Sequence, residues 1–131
     1  MMALQYPPPQ NWQDFETMCR ELMERAWGAP AQKHGRSGQR QSGVDLYAQV
    51  GGQWVAAQCK LKNWWRGGAV TQDELVTEVK AATKFENADR KLTRYTLLTT
   101  AERDASIQKV ARRLSGAPPN GFAVDILFWD D

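Results

Sequence analysis

The sequence predicts an α/β sandwich, in which a central mixed β-sheet containing a hairpin is flanked by helices. Three observations lead to this fold class. Strand-like and helix-like segments alternate along the second half of the chain, two β-rich runs meet at Gly51-Gly52, and helix-start signals precede apolar stripes. At 131 residues the chain has the length of one domain with one core. We expect residues 1–131 to be a single domain cut from a longer protein, because the sequence stops directly after an apolar strand.

Three helices are predicted from apolar residues at helical spacing. The first begins after Asn11, a suitable N-cap, and ends at Gly28. The second begins at a capping box formed by Thr71 and Glu74, and the third at the same pattern starting from Thr99. The core-facing positions are expected to be Trp12, Phe15, Cys19, Leu22 and Ala26, then Leu75, Val79 and Ala82, then Ile107, Val110, Ala111 and Leu114.

The strands are predicted from β-branched and aromatic runs bounded by turn residues. The last run, residues 122–129, is almost continuously apolar, which is typical of a strand covered on both faces. Asp125 interrupts it and is expected to be a paired charge within the core. The other strands are expected near Gln32, at residues 44–50, at residues 53–61 and at residues 94–99.

Composition narrows the class of protein. The sequence has no apolar run of the roughly 18 residues that a membrane helix needs, and its first residues do not resemble a signal peptide. Cys19 and Cys59 lie in apolar surroundings without CxxC spacing, which favours buried free thiols in a reducing cytoplasm over a disulfide. We therefore expect a cytoplasmic protein with no membrane partner.

Basic residues are concentrated in two segments, although the net charge is only +2. Acidic residues are absent from positions 26–44 and again from positions 46–72. Such local charge is typical of phosphate contact, and it is also found in solvated loops. The tryptophan pair that lies in the second segment could stack on bases, cover the core or form a self-association surface. The candidate DNA-binding residues are Lys33, Arg36, Arg40, Lys62, Trp64, Trp65 and Arg66.

The hairpin predicts a polar site at the end remote from its turn. If Gly51 and Gly52 form a two-residue turn, Asp45 lies opposite Gln58. Alternation places Lys60 on the same face, two residues further along the strand. The opposite face is then apolar and suited to the core: Val44, Leu46, Ala48 and Val50 against Val55, Ala57, Cys59 and Leu61.

This set of residues suits phosphodiester hydrolysis assisted by Mg²⁺. Asp45 offers a hard oxygen ligand, the side-chain carbonyl of Gln58 a neutral one, and the backbone carbonyl of Cys59 a third. Lys60 could orient or deprotonate the attacking water, or stabilise charge in the transition state. The same three side chains are also commonplace on the solvated face of a hairpin that does no chemistry.

Gly43-Val44-Asp45 followed by Gln58-Cys59-Lys60 resembles the motif of Mrr-like restriction endonucleases, a branch of the PD-(D/E)xK nuclease superfamily. The resemblance covers nearly the whole chain and implies a restriction-endonuclease-like sandwich that cuts double-stranded DNA with Mg²⁺, or with Mn²⁺ as a substitute. It also implies that Glu16, on the first helix, helps to bind the metal. Gln58 departs from the acidic residue usual in the superfamily, which weakens the metal site by one charge.

The glycine-rich basic segment, the stretch that follows Leu98 and the chain's last residues resemble nuclease domains fused to larger bacterial proteins. Some of these are antiviral defence proteins, in which the nuclease precedes a STAND-type NTPase. Cutting both strands would require two sites, so the resemblance implies a homo-oligomer, and a C-terminal domain outside this chain is one way to assemble it. Two other readings stay open: a DNA-binding module without activity, and an assembly domain of a larger complex.

Overall fold

Three helices pack on a five-stranded sheet in the computed structural model, which describes residues 11–34, 43–62, 68–87, 89–116 and 121–129. The α/β class and the order of the elements are confirmed. The helices are α1 (Trp12–Trp27), α2 (Gln72–Ala82), which continues into a 3₁₀ turn (Thr83–Phe85), and α3 (Ala105–Leu114). The strands are β1 (Gln32–Lys33), β2 (Leu46–Val50), β3 (Gln53–Lys60), β4 (Leu92–Thr99) and β5 (Ala123–Leu127).

The sheet is mixed, with its strands in sequence order from β1 to β5. The strands β1, β2 and β3 pair antiparallel, whereas β3, β4 and β5 pair parallel. Parallel neighbours need a crossover connection, which α2 provides between β3 and β4 and α3 between β4 and β5. As a result, the chain leaves β3 and β4 at the same edge of the sheet.

The predicted hairpin register is confirmed along the whole of β2. Val50 pairs with Gln53 at the turn, and Leu46 pairs with Ala57 at the other end. Gly51 and Gly52 have φ angles of 57° and 82°. A two-residue turn that follows the strand twist needs positive φ at both positions, and glycine adopts it without strain.

Two apolar cores lie on opposite faces of the sheet. The core on the α1 side is the smaller one, and its buried residues are Phe15, Cys19, Met23, Leu46, Ala57, Cys59 and Leu98. The core on the side of α2 and α3 includes Val44, Ala56, Leu75, Val79, Tyr95, Leu97, Ile107, Val110, Phe122 and Val124. The predicted core stripes of α2 and α3 are confirmed, with Leu114 only partly buried.

The first helix has the predicted ends, but a different buried stripe. The Asn11 side chain caps its start, and Gly28 ends it with a left-handed φ of 67°. Leu22, predicted to face the core, is 49% exposed, and Ala26 is exposed as well. Met23 is buried in their place, because a stripe that advances by four residues from Phe15 through Cys19 reaches position 23.

The third helix begins later than predicted. Thr99 is the last residue of β4 and is buried, so it does not cap a helix. The cap is Asp104, whose carboxylate accepts hydrogen bonds from the N–H groups of Ser106 and Ile107. The strand thus continues through the position at which sequence spacing had placed a helix start.

The last strand is covered on one face along most of its length, and not on both as predicted. Val124 and Ile126 are buried under α3, whereas Ala123 and Asp125 are exposed. Asp125 is paired as predicted, since its carboxylate lies 4.0 Å from Nε of Arg94, but the pair is on the surface and not in the core. The strand lies at the edge of the sheet, away from β2 and β3, the strands on which α1 packs.

Candidate functional site

The chain enters the hairpin through a bend that brings Asp45 against β3. Gly43 has a φ of 69° and lies against α2, and its carbonyl accepts a 2.7 Å hydrogen bond from the Tyr95 hydroxyl. Val44 packs in the α2-side core and Leu46 in the α1-side core, so the prediction that both face the same way is wrong. Alternation begins only within β2, because Asp45 itself lies in the bend.

Asp45 is a buried carboxylate held by the backbone of β3. It is 6% exposed, its N–H donates to the Ala57 carbonyl, and its Oδ2 accepts a 2.8 Å hydrogen bond from the Cys59 N–H. These two contacts flank Gln58, so Asp45 lies beside the predicted cross-strand partner, one residue beyond the β2–β3 ladder. No ion pair to Asp45 occurs among the described residues.

Burial raises the pKa of Asp45 to about 6. The hydrogen bond from Cys59 and the nearby Lys60 act in the opposite direction, while the carboxylates of Glu16 and Glu78 raise the pKa further. At neutral pH most of the molecules therefore carry a buried negative charge at Asp45, in surroundings that favour its compensation by a cation.

Gln58 has one half of its amide paired and the other half orphaned. Its Nε2 donates a 3.2 Å hydrogen bond to Oε2 of Glu78 on α2. Its Oε1 is buried and has no hydrogen-bond partner among the described residues. Buried carbonyl oxygens are rarely left unpaired in proteins, so this atom needs an account.

The Lys60 ammonium contacts the same Glu78 carboxylate as the Gln58 amide. Its Nζ lies 2.7 Å from Oε2 of Glu78 and 3.9 Å from Oε2 of Glu74, and its side chain is partly buried. Both glutamates belong to α2. The ammonium group is thereby fixed next to the amide of Gln58, as the predicted common face of these two residues requires.

The ends of β3 and β4 are joined at Thr100. Its hydroxyl accepts a 2.7 Å hydrogen bond from the Lys62 N–H and donates a 2.9 Å hydrogen bond to the Lys62 carbonyl. The Lys62 ammonium forms an ion pair with Glu74. Burial alone would raise the pKa of Glu74, but Lys62, the Thr71 N–H and Lys60 together hold it below its usual value.

Glu16 approaches the site from α1, on the other side of the sheet. Its carboxylate forms a 2.9 Å ion pair with Lys33 of β1, and it contributes to the raised pKa of Asp45. The helix is held there by Phe15 and Cys19, which pack on β2 and β3. The effect of Glu16 on the pKa of Asp45 indicates that the two carboxylates are close enough to interact, and the role of Glu16 as a metal ligand stays a prediction.

Two of the predicted DNA-binding residues are described, and both are in ion pairs: Lys33 with Glu16 and Lys62 with Glu74. At these two described positions, carboxylates from the helices balance the positive charge of the lysines. His34 does not add to it, because burial and Arg90 lower its pKa and its ring packs edge-on against Phe85. Arg36, Arg40, Trp64, Trp65 and Arg66 lie outside the described residues.

Cys19 and Cys59 are free, buried thiols, as predicted. A hydrogen bond with Cys19, together with burial, raises the pKa of Cys59 well above its ordinary value, so its thiol is not a nucleophile. The N–H of Cys59 is committed to Asp45. The role proposed for its backbone carbonyl in metal binding stays a prediction.

Sequence reasoning identified Glu74 only as a capping residue and missed Glu78, although both carboxylates form ion pairs with the lysines of the site. They are four residues apart on α2 and therefore lie on one side of it. Glu78 directly precedes Val79 and follows Leu75 by three positions, so it borders the buried stripe. A glutamate bordering the apolar stripe of the helix after the QxK element is the signal that could have revealed it.

The oxygen atoms present fit a hard divalent cation, provided that the amide counts as a ligand. In the part of the chain that the structure describes, no group of three or more His, Cys, Asp or Glu side chains could hold a metal ion. Asp45 offers one charged oxygen and Oε1 of Gln58 one neutral oxygen, and the Asp45 carboxylate is bound to the N–H of Cys59, the residue after Gln58. Mg²⁺ binds proteins through such a small number of ligands and keeps several waters.

Comparisons with known proteins leave the family of the chain open. No protein-family model, no curated protein and no solved structure matches it. None of the helices that the structure describes has both the length and the apolar character needed to cross a membrane.

Proposed function

We propose that this chain is a Mg²⁺-dependent endonuclease domain that hydrolyses phosphodiester bonds of double-stranded DNA. The mixed sheet, with a hairpin at one side, α1 on one face and α2 and α3 on the other, is consistent with a restriction-endonuclease-like sandwich. The proposed site consists of Asp45, Gln58 and Lys60, with Glu16 as a supporting ligand. Cleavage of both strands would require two such sites in an oligomer.

One observation carries the proposal: among the described residues, Gln58 has a buried carbonyl oxygen without a partner, and the N–H of the next residue, Cys59, binds the buried carboxylate of Asp45, which has no ion pair. An unpaired buried acceptor costs about 1–3 kcal/mol. The unpaired Oε1 of Gln58 lowers the free energy of unfolding by this amount, and the buried charge of Asp45 lowers it further. A divalent cation bound between them would relieve both, which a solvated hairpin face without function would not require.

The other residues have roles that follow from their positions. When bound, the metal ion supplies Lewis-acid stabilisation of charge on the phosphate. The ammonium of Lys60 lies next to Gln58 and donates hydrogen bonds, so it is placed to stabilise negative charge that develops on the phosphate oxygens. Burial of Asp45 keeps its carboxylate in one orientation through the Cys59 N–H, so no ordering of this ligand is needed on binding.

The proposal is tested by incubating supercoiled plasmid with the purified protein in Mg²⁺ or in EDTA. We expect nicking or linearisation that requires the metal and is abolished in Asp45→Asn and Lys60→Ala. Lys109→Ala is the matched control, because Lys109 is an exposed lysine of α3 and contacts none of the proposed site residues in the described structure.

Other outcomes separate the remaining readings. Binding of DNA without cleavage, both in this chain and in a longer chain that oligomerises, would favour a non-catalytic DNA-binding module. Neither binding nor cleavage in both chains would favour an assembly domain. Cleavage that persists in Asp45→Asn would show that the reaction uses another site.

A further inference from the structure

A single carboxylate oxygen lies at the centre of the site and contacts two of its residues. Oε2 of Glu78 accepts a hydrogen bond from Nε2 of Gln58 at 3.2 Å and forms an ion pair with Nζ of Lys60 at 2.7 Å. The Glu78 side chain is 15% exposed, so solvent competes little for these contacts. The carboxylate also raises the pKa of Asp45, which places it in the same cluster of charges.

Glu78 matters for the amide because Gln58 has two unlike ends. An ionised carboxylate only accepts hydrogen bonds, so it selects the NH₂ end of the amide and excludes the carbonyl end. With Nε2 turned to Glu78, the carbonyl Oε1 points away from Glu78, where it is buried and has no hydrogen-bond partner in the part of the chain that the structure describes. A flipped amide would instead offer the cation its NH₂ group, which binds no metal.

We propose that Glu78 is a positioning residue that fixes the orientation of the Gln58 amide, so that its carbonyl oxygen is presented to the divalent cation beside Asp45. This inference rests on the proposed function, since it concerns the same metal. It also explains how a neutral glutamine serves at a position where a carboxylate, with two equivalent oxygens, would need no such orientation.

The backbone around Glu78 is well placed to hold it in position. Thr71 and Glu74 form a complete capping box at the start of α2, and Leu75 and Val79 bury the helix on the sheet. The carbonyl of Glu78 itself lies against Gly43, two residues before Asp45. Glu78 therefore belongs to a helix that packs on the sheet and also lies against the segment that leads to Asp45.

Metal affinity in the absence of DNA tests this role without relying on catalysis. Mn²⁺ is titrated into the full chain by calorimetry, for the wild type and for the variants Glu78→Met, Glu78→Gln and Glu74→Gln. Residues that orient metal ligands typically change affinity by about 10–100-fold, and we expect Glu78→Met to lose at least about tenfold. Glu78→Gln should lose less, because its own amide can still accept from Gln58.

Glu74→Gln is the matched control. It removes one negative charge from the same helix and the same lysine cluster, keeps a side chain that suits the capping box, and contacts Lys60 and Lys62 but not Gln58. We expect its Mn²⁺ affinity to stay close to that of the wild type. Equal losses in Glu74→Gln and Glu78→Met would attribute the effect to charge alone and would overturn the inference.

The failure of this inference differs from the failure of the proposed function. If the wild type binds Mn²⁺ and Asp45→Asn does not, but Glu78→Met binds as the wild type does, only the positioning role is wrong. If the wild type binds no Mn²⁺, both proposals are wrong. Thermal unfolding of each variant checks that it folds, and Glu78→Gln, which conserves volume, serves if Glu78→Met does not.

The same titration in protein that already carries Gln58→Glu separates orientation from charge. In Gln58→Glu the residue offers two oxygens whichever way it turns, and Glu78 becomes a repelling neighbour. We therefore expect Glu78→Gln to leave Mn²⁺ affinity unchanged or to raise it in the Gln58→Glu background, the opposite sign to its effect in the wild type. A loss of the same size in both backgrounds would contradict an orienting role.

Discussion

At Asp45, burial and two neighbouring carboxylates act against the charged form, whereas the Cys59 N–H and Lys60 act in its favour. The balance leaves the pKa at about 6, compared with 3.8 for an unperturbed aspartate. The folded protein therefore holds a proton on Asp45 over a pH range in which the unfolded chain releases it. The negative charge at Asp45 therefore lowers the free energy of unfolding at neutral pH relative to the protonated form of the same residue.

This difference predicts how Asp45→Asn changes stability with pH. Between pH 3.8 and about 6 the native state binds more protons at this site than the unfolded state, so the free energy of unfolding falls as pH rises through that window. A shift of this size corresponds to about 3 kcal/mol. The asparagine side chain does not titrate and still offers an oxygen to the Cys59 N–H. The stability of the Asp45→Asn variant relative to the wild type should therefore rise by up to about 3 kcal/mol from pH 4 to pH 7.5.

Urea unfolding of both proteins without divalent cations at pH 4, 5, 6 and 7.5 measures this effect. Asp125→Asn is the matched control, because it makes the same substitution at an exposed aspartate of β5. A stability difference for Asp45→Asn that is the same at all four pH values would show that Asp45 titrates alike in the folded and unfolded states.

At the scale of elements, the site depends on two junctions: the ends of β3 and β4, and the contact of the hairpin entry with α2. Thr100 closes the first by bonding both backbone groups of Lys62. Gly43 closes the second, where it lies against the backbone of α2. The first junction holds the chain two residues after Lys60, and the second holds it two residues before Asp45.

Replacement of Thr100 tests the junction of the strands. Thr100→Val keeps the shape of this buried side chain but leaves the Lys62 N–H and carbonyl without their partner, which should cost about 1–3 kcal/mol. Thr100→Ser keeps the hydroxyl and should cost less. Urea unfolding ranks the two variants, and a greater loss in Thr100→Ser would mean that packing of the methyl group, not the hydrogen bonds, holds the junction.

Gly43→Ala tests the approach of the hairpin to α2. A Cβ atom at Gly43 would lie 2.6 Å from the Glu78 carbonyl and 2.7 Å from the Ala82 nitrogen, both backbone atoms that cannot turn aside. Together with a positive φ, this overpacking should cost about 3 kcal/mol or more in the free energy of unfolding.

Gly28→Ala provides the control for the backbone conformation. Gly28 has almost the same φ, 67° against 69°, but no atom lies within 4 Å of its added Cβ. The substitution should cost only the positive-φ term, about 1 kcal/mol. Similar losses in both variants would contradict the close approach of Gly43 to α2.

The parts of this structure that could be predicted are those encoded by neighbours in sequence. The Gly51-Gly52 turn fixes the hairpin register by itself, and the capping box of α2 is a local pattern. The bend at Asp45, which separates Val44 from Leu46, depends on the packing of Gly43 on α2 and has no local signal. The exposed face of β5 could not be predicted either, because it depends on how far α1 extends across the sheet.

The same distinction applies to the candidate site. Gln58 and Lys60 lie two residues apart on β3, so their common face follows from alternation, whereas Asp45 reaches β3 through the bend that precedes β2. Glu78 reaches Gln58 and Lys60 across a crossover connection and lies 20 positions after Gln58 in the chain. Spacing alone does not determine which side chain of α2 meets which side chain of β3, and the orphaned oxygen of Gln58 becomes evident only with the contacts known.

In the whole molecule, Gln58 and Lys60 lie outside the two apolar cores. Both cores are continuous on their own face. We therefore expect folding not to need a metal ion, in contrast to small domains built around structural zinc. Cation binding is instead expected to add stability to a domain that is already folded.

Mg²⁺ should stabilise the protein by mass action and EDTA should not unfold it. At about 100 times its dissociation constant, a ligand that binds only the native state adds about 2.7 kcal/mol to the free energy of unfolding. We expect the melting temperature to rise with Mg²⁺ in the wild type and to stay unchanged in Asp45→Asn. The measurement is thermal unfolding followed by circular dichroism, and loss of the folded signal in EDTA alone would mean that the metal has a structural role.

In the proposed site, Asp45 and Gln58 together hold a divalent cation beside Lys60. Anomalous diffraction from crystals soaked in Mn²⁺ tests this arrangement, because the signal locates the metal without assumptions about activity. We expect one peak within coordination distance of both the Asp45 carboxylate and Oε1 of Gln58. A peak that lies elsewhere, or no peak at an ordered Asp45 and Gln58, would contradict it.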